Sequence, residues 1–133
     1  MDAIKKRNSV FLIKYFLVWC TKDRYPVLVD GVAKTIEVLF AKIATDNKFV
    51  IDELTVQPDH VRLIISATPN HPVADIVKAL KGVSARFVFQ KHPDLKQKLY
   101  GGHLWHPSYY TGTIGVVSEE QIEKYLVSQK IRS

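Results

Sequence analysis

The stretch from Phe49 to Ser66 leaves this chain little freedom. FVIDELTV (49–56) and HVRLIIS (60–66) are two runs of β-prone residues, and only Gln57-Pro58-Asp59 separates them. Proline and aspartate in so short a link favour a tight turn, so the runs are expected to pair as an antiparallel hairpin. Helical patterns flank the hairpin on both sides. Before it, Asp30 and Gly31 open a segment with Val32, Ile36, Leu39, Phe40 and Ile43 at helical spacing, ending near Asn47. After it, Pro72 suits a first helical turn. Val73, Ile76, Val77, Leu80, Val83, Phe87 and Val88 then carry an apolar stripe to about Gln90.

Two more β-prone segments lie outside these helices. Residues 9–20 are β-branched and aromatic, as a central strand buried on both faces requires, and LWHPSYYTGTIG (104–115) follows a basic linker over His92–Gly102. The resulting order, β-α-β-β-α-β, predicts an α+β fold of ferredoxin-like type, an antiparallel sheet with both helices on one face. Ser118-Glu119-Glu120-Gln121 then matches a capping box, which predicts one further helix to about Lys130. That helix is an addition to the minimal fold and needs a purpose.

The 133 residues suit a single domain, and 47% apolar content is enough for a core without a disulfide or structural metal. The one cysteine, Cys20, sits in an apolar run and reads as a small buried hydrophobe, which fits a reducing, cytoplasmic setting. Lys5, Lys6 and Arg7 before Val10–Cys20 resemble the start of a secretion signal. Lys14 interrupts the apolar run, however, and Thr21-Lys22-Asp23-Arg24 follows where small cleavage-site residues belong. The run is too short to span a bilayer, so no membrane association is expected.

Nineteen Lys and Arg against 13 Asp and Glu give a net charge of +6, which favours a polyanionic partner. On the strand 60–66, His60 and Arg62 point to one face and Val61 and Leu63 to the other. Two histidines at that spacing would present two imidazoles to one divalent cation; arginine stays protonated and cannot ligate one. His60 alone is equally readable as a half-exposed strand residue. On the last helix Tyr125 and Gln129 are one turn apart, a phenol and an amide oxygen on one face. Ile122, Tyr125 and Leu126 also form that helix's apolar stripe, so packing is the competing reading of the tyrosine.

Asp52, Glu53 and Asp59 lie close to the hairpin, where any could assist a cation. His71 and His92 precede prolines in loops, and His103 and His106 flank Trp105. No cysteine–histidine constellation, zinc spacing or glycine-rich phosphate loop occurs. Lys78, Lys81 and Arg86 on the second helix, with Lys91, Lys96 and Lys98 after it, are candidate contacts to a nucleic-acid backbone. Trp105, Tyr109 and Tyr110 suit either base stacking or sheet packing.

Taken together, these motifs resemble a family. VQPDHVRLIIS is similar to the strand that bears the histidine–hydrophobe–histidine motif of single-strand DNA transposases from the smallest bacterial and archaeal insertion sequences. LWHPSYYTGTIG resembles their penultimate strand, SEEQIEKYLVSQ their terminal helix, and WCTKDRYPVL also fits. The resemblance implies a homodimer in which the terminal helix of one subunit completes the active site of the other. It implies Tyr125 as nucleophile, His60 and Gln129 as ligands of Mg²⁺ or Mn²⁺, and single-stranded or hairpin DNA as substrate. Arg62 stands where the second histidine belongs, and there it is a candidate DNA contact that could bind the phosphate directly and supply positive charge without a metal. That departure motivates an alternative, a catalytically weakened relative that only binds structured DNA. A third reading, an RNA-binding sheet of the same topology, would need an aromatic-rich motif that strands 9–20 and 60–66 lack.

Overall fold

The computed structural model describes residues 12–99, 101–114, 124, 126 and 127. Strand β1 (Ile13–Cys20) leads through a 3₁₀ turn (Lys22–Arg24) to helix α1 (Asp30–Asp46). The hairpin β2 (Val50–Gln57) and β3 (His60–Ala67) precedes helix α2 (Val73–Lys91), a short helix α3 (Leu95–Lys98) and strand β4 (Tyr110–Thr113). The sheet order is β2-β3-β1-β4, with every neighbouring pair antiparallel. This is the ferredoxin-like arrangement expected from the element order, and Pro58-Asp59 forms the turn of the hairpin. Lys124, Leu126 and Val127 are helical, as the capping box implied for that stretch. Residues 9–11 of the expected first strand and the helix start at Ser118 lie outside the described residues.

Strand alternation sorts the side chains into two layers. Leu17 and Trp19 of β1 and Val61, Leu63 and Ile65 of β3 join Ile36, Phe40 and Ile43 of α1 and Ile76, Leu80 and Val88 of α2 in one core. Its aromatic centre is Trp19, whose ring lies 6.1 Å from Phe40 and 6.0 Å, edge-on, from Trp105. The opposite face of the sheet carries a smaller apolar cluster. There Phe16 and Val18 are packed by Ile64, Tyr110 and Leu126, so Leu126 docks on the face away from α1 and α2.

Two segments depart from the sequence reading. The linker after α2 contains α3, because Leu95 and Leu99 are buried in the main core and pull the chain into a turn. The last strand is short, and Leu104–Tyr109 lies outside it. Leu104 and Trp105 are core residues, Trp105 meets the sheet only through an isolated bridge to Thr21, and Pro107 has no N–H to continue a ladder. Trp105 Nε1 donates to Ser84 Oγ at 3.0 Å, which settles packing rather than base stacking for this ring. Cys20 is fully buried, and burial pushes its thiol pKa up to about 11, so it is the inert hydrophobe expected.

Candidate active site

At one end of the sheet, where β1 stops and β3 begins, Cys20 pairs with His60 and Val18 with Arg62. Directly paired residues share a face, so His60 and Arg62 lie on the same side as Phe16 and Val18. This is the face on which Leu126 packs. The alternation read from the sequence therefore holds, and Leu126 packs on the face that carries the candidate residues.

The His60 side chain is 12% exposed, and its Nδ1 lies 2.8 Å from Asp59 Oδ1. An ionised carboxylate only accepts, so Nδ1 carries the proton and the lone pair on Nε2 is left for a ligand. The other Asp59 oxygen, Oδ2, accepts from Arg24 Nε at 2.9 Å and from Nη2 at 2.7 Å. Burial alone would raise the Asp59 pKa. The bond from His60 and the Arg24 guanidinium outweigh it, holding the carboxyl below its ordinary range and ionised at neutral pH.

Arg24 reaches in a second direction, where its Nη1 donates to the Leu126 carbonyl at 2.6 Å. The turn that presents it is stitched to the hairpin tip. Thr21 N donates to the Asp59 carbonyl at 3.0 Å, Leu28 N donates to the Pro58 carbonyl at 2.9 Å, and Thr21 Oγ1 donates to the Tyr25 carbonyl at 2.7 Å. Asp23 and Arg24 both sit in the left-handed region, at φ 52° and 56°, a conformation that costs about 1 kcal/mol or more per residue. Sequence reasoning gave Arg24 no role. It counted Asp59 as a turn former and as one of several nearby acids, and the sole hint of more was its adjacency to His60.

Arg62 places its guanidinium carbon 5.9 Å from the Phe16 ring centroid, beside a shallow cavity also lined by Glu53, Thr55 and Ile64. Tyr125 and Gln129, the expected nucleophile and third ligand, lie outside the described residues. Among the described residues no group of three His, Cys, Asp or Glu side chains could hold a metal ion.

The basic residues of α2 are not equivalent. Lys78 and Arg86 are exposed. Lys81 turns inward and donates to the carbonyls of His106 at 2.6 Å and Ser108 at 3.0 Å. Its ammonium also lies 5.7 Å from the Trp19 ring centroid and 5.9 Å from that of Tyr109. Lys81 thus holds the segment before β4 in place, while His106 N donates to the Cys20 carbonyl at 2.9 Å beside the candidate site.

Burial lowers the Lys81 pKa to about 8 from 10.5. Between those two values the unfolded chain keeps a proton that the folded one has lost, so this group's contribution to stability rises with pH across the window. Cys20 acts in the opposite sense above its ordinary value of 9.0, since its folded pKa is raised. Comparing urea denaturation of the native chain with that of Lys81→Met isolates the lysine. The stability difference should move in favour of the native chain between about pH 8 and 10; a difference that is flat there, or of opposite slope, contradicts the assignment.

The pattern of the family described as "Transposase IS200 like" matches residues 9–129. The chain belongs to this family. It is 46% identical over 129 residues to the ISDra2 transposase TnpA of Deinococcus radiodurans, covering 97% of this chain and 92% of that protein. With the transposase of insertion sequence IS200 from Salmonella typhimurium it shares 24% over 116 residues, covering 87% and 76% respectively.

Solved structures agree. A crystal structure of a Deinococcus radiodurans R1 protein described as a transposase superposes with a TM-score of 0.87 at 45% identity, covering 94% of this chain and 96% of that one. The REP-associated tyrosine transposase bound to a REP hairpin shares the fold, with a TM-score of 0.57 at 15% identity over 91% of this chain and 67% of that one. The sequence resemblance to the IS200-like transposases is thereby confirmed, and with it a DNA transposase. No helix among the described residues is long and apolar enough to cross a membrane.

Proposed function

We propose that this IS200-like transposase nicks and rejoins single-stranded DNA at insertion-sequence ends, with Tyr125 as the attacking group. The observation that carries the reading is the Asp59-oriented His60 on the sheet face where Leu126, the residue after Tyr125, is docked. In the reaction the tyrosine oxygen forms a bond to a DNA phosphorus, and the bond from phosphorus to the 3′ oxygen breaks. The phenol's proton is lost and the departing 3′ oxygen gains one, leaving a 5′-phosphotyrosine and a free 3′-hydroxyl. The covalent link keeps the energy of the phosphodiester, so reversal onto another 3′-hydroxyl rejoins the strand without ATP. Exposed Lys78 and Arg86 are proposed to hold the backbone. Single-stranded DNA with a hairpin is the proposed substrate, and the cytoplasm the proposed setting.

A divalent cation, Mg²⁺ or Mn²⁺, belongs to this reading through His60 Nε2 and Gln129, and would supply charge neutralisation at the phosphate. The described donors are one imidazole with a guanidinium two residues on, a set that fits an anion better than a cation. The homodimer with helices exchanged between subunits is likewise part of the proposal; within the chain described, the Leu126 carbonyl is held by its own Arg24.

Incubating the purified protein with Mg²⁺ or Mn²⁺ and a hairpin oligonucleotide of the element's end should yield a covalent adduct stable in SDS. Binding without an adduct would overturn the reading in favour of the second one, a relative that only binds structured DNA. Arg62 is the observation behind that second reading. Arg62→His separates the two. A weakened site gains roughly tenfold or more in Mn²⁺ affinity, by calorimetry, and in adduct yield, because a second imidazole joins the first. No gain in adduct yield counts against the weakened reading.

A further inference from the structure

Arg24 uses three donors in two directions at once. Nε and Nη2 hold Asp59, which fixes the His60 imidazole, and Nη1 holds the carbonyl of Leu126. One guanidinium thus bridges the two halves of the proposed site, the histidine on β3 and the helix stretch next to Tyr125. It lies 35 residues from Asp59 and 102 from Leu126 along the chain. The side chain is 15% exposed, and the bonds from Thr21 and Leu28 to the hairpin tip fix the turn that presents it. Only a planar fork with several donors serves both partners; a lysine ammonium on a flexible stem cannot keep both geometries together.

We infer that Arg24 is a positioning residue that couples docking of the C-terminal helix to the orientation of His60. With Arg24 in place, the Leu126 carbonyl and the Asp59 carboxylate share one rigid partner, so the helix settles on the sheet only where His60 is already aligned. Without it, Asp59 loses the guanidinium that holds it and Leu126 loses the partner of its carbonyl, keeping, among the described residues, its apolar contact with Phe16 and Val18. The same latch would serve if the docked helix came from a second copy of the chain, since an exchanged element keeps its contacts.

The reaction arm of this inference rests on the proposed function, whereas the docking arm does not. Amide hydrogen exchange at Leu126 and Val127 in DNA-free protein reads docking directly. In Arg24→Gln and Arg24→Lys, exchange there should accelerate roughly tenfold, the usual consequence of losing one charge-assisted hydrogen bond. Arg24→Lys retains the charge and keeps the test open should Arg24→Gln melt early. Thr21→Val provides the contrast: it removes a hydroxyl that stitches the same turn and leaves the Arg24 fork intact. It should lower the melting temperature without accelerating exchange at Leu126.

For the reaction arm, both Arg24 variants should lower the rate of adduct formation at saturating DNA roughly tenfold, with DNA affinity changed by less than about threefold. Exchange within about twofold of the native chain in both Arg24 variants, or equal acceleration in Thr21→Val, overturns the coupling. If the native chain forms no adduct, the proposed function fails while the exchange measurement still decides the latch.

Discussion

A Tyr125→Phe variant is expected to form no covalent adduct with single-stranded DNA, a loss of at least about 10⁴-fold by analogy with removal of an enzyme nucleophile. Phenylalanine keeps the ring and removes only the hydroxyl, so the melting temperature should be preserved. What disappears is the single oxygen that can bond to phosphorus. Neither Arg62 nor a cation at His60 can replace it, because both stabilise charge and neither supplies a nucleophile. DNA binding, measured by gel shift at fixed salt, should remain within about threefold, since backbone contacts by lysine and arginine dominate affinity. An adduct of normal yield in the phenylalanine variant would move the chemistry to another residue.

The second large effect concerns the core. Trp19 is fully buried, packs against Phe40 and Trp105, and carries the Lys81 ammonium over its ring. Trp19→Ala should destabilise the protein by about 3–5 kcal/mol in urea denaturation, the usual range for emptying an aromatic site. Trp19→Phe should cost much less. Trp19 Nε1 is buried with no acceptor among the described residues, so removing the indole N–H relieves an unsatisfied donor while most of the ring area stays. Similar losses in the two variants would mean that the indole nitrogen is satisfied after all. The Trp19→Ala effect should reach the site as well, because Trp19 precedes Cys20, which pairs with His60.

The sheet and its order were legible because each element's signal was local. The hairpin announced itself through Pro58-Asp59, the two helices through their apolar spacing, and the shared face of His60 and Arg62 through simple strand alternation. Wherever a residue's role depends on a distant partner, the sequence was silent. Arg24 sits in a polar turn that reads as a solvated loop, and its partners lie on the β2–β3 hairpin and near the other end of the chain. Lys81 sits beside the buried stripe of α2, and composition alone made it one more surface cation; its cage of two carbonyls and two rings is assembled from β1 and the segment before β4. That segment was misread as strand because aromatic residues favour strands. Leu104 and Trp105 instead serve the core, as tertiary packing overrides propensity. Tyr125 and Gln129 stand where they began, as positions matched to a family pattern.

Strand cleavage is proposed to proceed through a bond between Tyr125 and a 5′ phosphate. Its most direct test is to isolate the protein–oligonucleotide adduct, digest both partners and locate the nucleotide by tandem mass spectrometry. A single modified site is expected, Tyr125, joined to the 5′ phosphate of the downstream fragment, with a free 3′-hydroxyl on the upstream one. A nucleotide on any other residue, or a 3′-phosphate linkage, would contradict it.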